Sequence, residues 1–366
     1  MLAKHAGGRL AVLCMCAVAA AALSSCGQAA EKQTAPARTA AAEEALAAVT
    51  VVDGDSLTLE GQVLSAEEAG QSVLVVKNGG SVVLRNCTIT KTGGTAGSAA
   101  AEGGNAALVA QSGGNLVLEN CTIETDGAGA AALAAVGDNA CVVVSDTAIT
   151  TRQEASAGVL ATANGCVLAQ NLTIQTEGAY SPMLYAGAGS GTIQASGVQG
   201  YSSGAYAPCV YSRGALSLAD SEMVAYAAAC AVLEGQNSLS LTQTALESRD
   251  SEMGVLVFQA EEEAGQADGG MAELWVSGGR VTAAEGAALY ITNTEAYVCI
   301  TDSAEVQGGS GVAVKAAAGQ WGSSGQNGGR LILCSEEAMQ GAIEYDSLSS
   351  VETVPAEETE TNAKTP

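Results

Sequence analysis

Leu116-Val117-Leu118-Glu119-Asn120-Cys121-Thr122-Ile123 is the stretch whose reading decides the fold. Leu116 to Glu119 suits a short strand with one buried face, and Asn120 then breaks the run with a residue that tolerates a left-handed backbone. The phrase stands earlier as Val82-Val83-Leu84-Arg85-Asn86-Cys87-Thr88-Ile89 and later as Val142-Val143-Val144-Ser145-Asp146-Thr147-Ala148-Ile149. Weaker copies end at Ile174, Val198, Met223, Leu246, Val281, Val306 and Met339. Most ends lie roughly 25 residues apart, a unit too small to bury its own apolar face, so neighbours must stack into a solenoid.

Glycine, Asn, Asp and Ser cut the chain every few residues, which excludes helical repeats and leaves strands and turns. A second strand-like phrase precedes the main one by about ten residues, as in Ala106-Ala107-Leu108-Val109, Ala131-Ala132-Leu133-Ala134 and Ala287-Ala288-Leu289-Tyr290. Short strands repeated at this period describe a parallel β-helix with rungs about 4.8 Å apart, and parallel crossovers are nearly always right-handed. The predicted fold is therefore all-β: a single-stranded right-handed parallel β-helix of about ten coils over 49–350. Apolar residues make up 48% of the chain but aromatics only 3%, so the core must be aliphatic.

The Leu-x-Asn-Cys-Thr-Ile phrases, Leu289-Tyr290-Ile291-Thr292-Asn293-Thr294 and the glycine-rich stretch Gly319 to Gly329 resemble the pectate-lyase-like right-handed β-helix proteins. The likeness covers about Val73 to Tyr345 and is nearest to the adhesin-like bacterial cell-surface group. It implies the solenoid fold. It also implies what to look for if the chain is an enzyme: clustered aspartates with His and basic partners in the hydrolases, or a calcium-binding carboxylate cluster with an Arg or Lys base in the lyases.

Lys4 and Arg9 precede an apolar run from Leu10 to Leu23, too short to span a bilayer, which reads as a secretory signal over 1–25. Leu23-Ser24-Ser25-Cys26 has the form of a lipoprotein cleavage site, making Cys26 the expected lipidated residue and placing the protein, exported and anchored through lipid alone, at the cell surface. A disordered tether over 26–48 and a disordered acidic tail over 351–366 are expected from composition. The formal net charge is −25, and loss of the signal removes Lys4 and Arg9 but no acid; such a surface excludes a nucleic-acid role.

Cys87 and Cys121 each stand two residues before their Ile, Cys141 and Cys166 eight before theirs, and Cys209 and Cys230 share one place in the earlier strand. Each pair should stack on adjacent rungs, as a disulfide or as a ladder of thiols. Cys299 and Cys334 fall in different columns on this register, and neither C-x-x-C spacing nor a neighbouring His suggests a metal. Asn86, Asn120, Asp146, Asn171, Asp220 and Asp302 read as a turn-capping ladder rather than a catalytic or calcium set.

The only histidine, His5, lies within the signal, and no Asp-Asp, Asn-Thr-Asp or His-Gly motif is present. Arg85, Arg152, Arg213, Arg249, Arg280, Lys315 and Arg330 are expected on scattered coils, without acidic groups in matching columns. No catalysis and no cofactor are expected. Binding has better candidates: Tyr180 and Tyr206 each precede a proline by two and should stack at one turn, while Tyr185 and Tyr211 should stack along one strand. Longer intervals place insertions at 90–105, 259–270 and 316–330; the second carries Glu261-Glu262-Glu263 and Asp268, without regular calcium-ligand spacing, and the third carries Trp321. The reading is a monomeric surface module for adhesion or carbohydrate binding, with a glycan or host surface as partner. Its alternatives are a polysaccharide lyase or glycoside hydrolase acting on pectin-like polymers, and a passive spacer.

Overall fold

The computed structural model describes residues 46–95, 103–260, 270–319, 327–335 and 341–355, and every regular element among them is a β-strand. The strands stack in parallel as a β-solenoid of the right-handed type. A typical rung has three strands, such as Leu108–Gln111, Asn115–Glu119 and Thr122–Thr125, and the next repeats them as Leu133–Val136, Cys141–Ser145 and Ala148–Thr151. First strands build a 12-stranded sheet. Second and third strands join into one 20-stranded sheet, because Ser238–Ser248 and Ala272–Ala283 run through the corner between them.

The stacking column expected from the repeated phrase is present: Ile89 pairs with Ile123, Ile123 with Ile149, and Ile149 with Ile174, all at most 1% exposed. Leu108, Leu133, Val159 and Leu184 form the matching column of the first sheet. Together with Leu118, Val144 and their equivalents they make one continuous aliphatic core.

The corner between the second and third strands explains the Asn and Asp residues. Asn86, Asn120, Asp146, Asn171, Asp220 and Asp302 all have φ between 49° and 56°, the left-handed region where these side chains are least strained. Asn120 Nδ2 donates to Asn86 Oδ1 at 2.7 Å and Asn171 Nδ2 to Asp146 Oδ1 at 3.1 Å, forming the side-chain ladder. Glycine takes the place at Gly197 (φ 67°) and Gly278 (φ 66°), where the side chains of Asn171 and Gln243 lie across the space a Cβ would need.

Three details of the register differ from expectation. The partner of Ile174 is Gly200, and Val198 sits two places earlier in the column of Cys87, Cys121 and Leu172, where its own apolar bulk fills the core. Cys299 and Cys334 are direct partners, because strand Thr294–Thr301 pairs with Gly329–Ser335 position by position; a register counted from Val306 and from Met339, which lies outside the described residues, places them apart. At the C-terminal end, strand Ser350–Pro355 continues past residue 350, with Val351 packed against the core despite the acidic composition around it.

The first sheet is apolar on its outer side as well. Strand Leu108–Gln111 is buried at every position, and Val109, Ala134 and Leu160 form a second apolar cluster behind the core residues. Of the insertion at 90–105, residues 96–102 lie outside the described residues, but its ends do not leave the solenoid. A Cβ on Gly103 would come within 2.9 Å of Val136 and 3.1 Å of Ala134, so the backbone lies directly on this outer face. Buried Asn105 accepts from Gly70 N and donates to Gly93 O and Ala128 O, while buried Lys91 donates to Gly93 O and Glu68 O. Burial pushes the Lys91 ammonium pKa down.

Replacing Ile123 by Ala opens a cavity between Ile89 and Ile149 and is expected to cost about 2–5 kcal/mol in denaturant unfolding. Asn120→Val, a β-branched residue at φ 52°, is expected to lower stability although the position is exposed; unchanged stability would contradict the ladder.

Candidate functional site

The turn that leads from the third strand of one rung to the first strand of the next carries the candidate site. Ala155, Tyr180 and Tyr206 occupy equivalent places in successive turns: Ala155 N donates to Ala179 O, Tyr180 N to Ala205 O and Tyr206 N to Ala227 O. All three have positive φ, 53°, 56° and 55°. Alanine and tyrosine gain nothing from that conformation, which costs an L-residue roughly 1–2 kcal/mol. The turn enforces it from beneath: Ser181 Oγ donates to Gln153 O at 3.0 Å, Ser156 N donates to Ser181 Oγ at 2.9 Å, and Pro182 restricts the backbone that follows.

Tyr180 and Tyr206 are 61% and 69% exposed, their ring centroids 5.3 Å apart and their planes 12° from parallel. Rings this close cannot lie side by side in a plane, so the pair is an offset stack instead of the flat strip expected from the spacing. Ala155 precedes it in the column and Ala228 follows, so no large side chain of the same column covers the outer face of either ring. Nearby on the same side, Tyr201 and Tyr226 meet edge to face at 5.9 Å, and the Arg249 guanidinium lies 5.0 Å from the Tyr226 centroid.

Tyr185 and Tyr211 also stack, at 5.1 Å and 17°, but they belong to the first sheet and continue its outer apolar column after Leu160. Both are half-buried. The Tyr211 hydroxyl donates to the Glu234 carboxylate, which also pairs with Arg213 at 3.4 Å and is 6% exposed. Burial, then the Glu234 charge, pushes the Tyr211 phenol far above its usual range. These two rings are built into a packed network and offer little face to a ligand. Trp321 and Cys26 lie outside the described residues, as do Glu261, Glu262, Glu263 and Asp268.

Sequence reasoning passed over Trp275. It is 39% exposed on the outer face of the second strand and tilts against Tyr297, centroids 5.3 Å apart. The signal was the alternation Glu273-Leu274-Trp275-Val276, which sends Leu274 and Val276 inward and the indole outward. A groove of about 630 Å³ over the outer side of the first sheet, lined by Glu252, Met253, Glu285, Ala287, Tyr290 and Lys315, was also not legible, since it joins turns and strands of different rungs. In it Lys315 Nζ lies 5.6 Å from the Tyr290 ring, its partner in register.

The basic residues correct another expectation. Arg85 pairs with Glu119 at 3.0 Å and Arg330 with Glu295, each across register partners of adjacent rungs, and Arg152 reaches Glu124 at 3.3 Å. Acidic groups therefore do stand in matching columns, because opposite charges one rung apart relieve repulsion in an acidic chain. The cysteine columns follow the expected register: Cys141 is the direct partner of Cys166, Val210 N bonds to Cys230 O beside Cys209, and Thr122 N to Cys87 O beside Cys121. Burial pushes the Cys121 and Cys230 thiols up. No group of three or more His, Cys, Asp or Glu among the described residues is arranged to hold a metal.

Comparison with protein-family models, curated proteins and solved structures finds no match to this chain.

The Tyr211–Glu234 contact gives a pH test. A phenol whose folded pKa is raised contributes stability below its ordinary value of 10.0, and that stability is lost as pH rises above it. Wild type is therefore expected to lose stability above pH 10.0 more steeply than Tyr211→Phe, and parallel curves would contradict the buried contact.

Proposed function

We propose that the chain is a non-catalytic, lipid-anchored surface module of the pectate-lyase-like type that binds carbohydrate on the stacked Tyr180 and Tyr206 rings. The single observation that carries this reading is the pair itself: two large aromatic side chains, mostly exposed and held at positive φ on adjacent rungs. Packing gives no reason to place them there, since the equivalent position one rung earlier does with Ala155. A saccharide ring presents an apolar face of C–H groups that fits an aromatic face, and the two alanines leave room for a ring at each end of the stack. The sugar hydroxyls would then meet Gln153 and Glu177 in the surrounding turns, both exposed. The partner is accordingly a neutral surface glycan, because an acidic chain with net charge −25 repels uronate polymers.

Anchoring fits this role. The Leu23-Ser24-Ser25-Cys26 site would leave two acyl chains on Cys26, enough for stable attachment with the solenoid held outside the membrane.

A glycan array followed by calorimetry tests the proposal. Tyr180→Ala/Tyr206→Ala is expected to weaken binding of the retained glycan by at least about tenfold, or about 1.4 kcal/mol, with the thermal midpoint unchanged or raised by relief of strain. Equal affinity in the double variant would move the site elsewhere; no retained glycan would leave a spacer. Release of reducing ends or unsaturated products from pectins would make it an enzyme.

A further inference from the structure

We propose that Cys299 and Cys334 close a disulfide that staples two neighbouring rungs near the C-terminal end of the solenoid, while the inward-facing cysteine pairs stay as thiols. The two are direct register partners in parallel strands, the separation at which a disulfide can form. Their sulfurs are in contact at 2.6 Å. Both are buried, 2% and 0% exposed, yet neither belongs to the aliphatic core. Their strand neighbours Val298 and Leu333 point into that core, so the two sulfurs lie on the opposite side of the sheet, in the column of Trp275.

The other pairs differ. Cys87 with Cys121 and Cys209 with Cys230 face the aliphatic interior, where they pack as small apolar groups, and burial pushes the Cys121 and Cys230 thiols up. Cys141 and Cys166 are register partners on the outer side too, but they stand in the middle of the stack, where strands paired on both sides hold their backbone separation fixed. Strand Gly329–Ser335, by contrast, pairs onward only with Ser350–Pro355, the last described strand of its column. End rungs open most readily, and that opening admits an oxidant to otherwise buried sulfurs.

The step is thiol–disulfide exchange with a small disulfide such as oxidised glutathione. One cysteine thiolate attacks a glutathione sulfur, forming a mixed disulfide and releasing one glutathione thiolate. The second thiolate attacks the protein sulfur of that mixed disulfide and releases the other. The two cysteines lose two protons and two electrons, and the glutathione disulfide takes up the electrons as two thiols. The product closes a covalent loop between positions 35 apart and ties the end rung to the one before it.

Purified full-length chain, fully reduced and then exposed to graded oxidised glutathione, tests this by alkylation under denaturing conditions and peptide mapping. The Cys299–Cys334 peptide pair is expected to be the first linked, with Cys87, Cys121, Cys209 and Cys230 still alkylated at that point. Closure of any other pair first, or Cys299 and Cys334 both alkylated at the highest oxidant concentration, overturns the proposal. In Cys299→Ser, Cys334 is expected to remain alkylatable; the wild-type map decides the matter if that variant does not fold.

Discussion

The backbone ladder between rungs governs this molecule. Parallel hydrogen bonding holds consecutive rungs about 4.8 Å apart, and every side chain at a given place is thereby set upon its equivalent above and below. Ile89, Ile123, Ile149 and Ile174 become one column, Asn86 and Asn120 become hydrogen-bonded neighbours, and Arg85 meets Glu119. A residue is thus selected for how it tolerates a copy of itself or a complement one rung away. Aliphatic, amide and thiol groups tolerate self-stacking; charges require alternation of sign.

The columns were legible wherever a rung kept its length between the corner and the buried apolar residue. From Val82 to Ile174 the phrases align residue for residue, and the left-handed corner could be read from Asn and Asp because few other residues accept it. Legibility failed where the apolar mark itself moved. At Gly200 the core position carries no side chain and Val198 substitutes from two places earlier, so the eye follows the valine. The same kind of slip concealed the partnership of Cys299 with Cys334. Nor did the pattern reveal that the first sheet is apolar on both sides, because continuous runs such as Ala106 to Ala110 carry no alternation from which to assign an outward face.

The tyrosines show what register alone can and cannot convey. Both pairs were visible as pairs, but their surroundings separate them: Tyr185 and Tyr211 sit among Leu160, Arg213 and Glu234, whereas Tyr180 and Tyr206 rise from a turn with only alanines in line. That difference arises from neighbours distant in sequence. It turns one stack into part of the wall and leaves the other facing water at a strained backbone position, which is where recognition tends to be placed.

The last described rung bears on how such a stack meets other chains. Any solenoid finishes with a row of amides and carbonyls that could template another chain, lengthening the structure into a fibre. Here the last two strands among the described residues carry Glu344 and Glu352 and include Pro355, which has no amide hydrogen to offer. An incoming strand of an equally acidic copy would meet like charges and a missing donor at these strands, which discourages edge-to-edge pairing there.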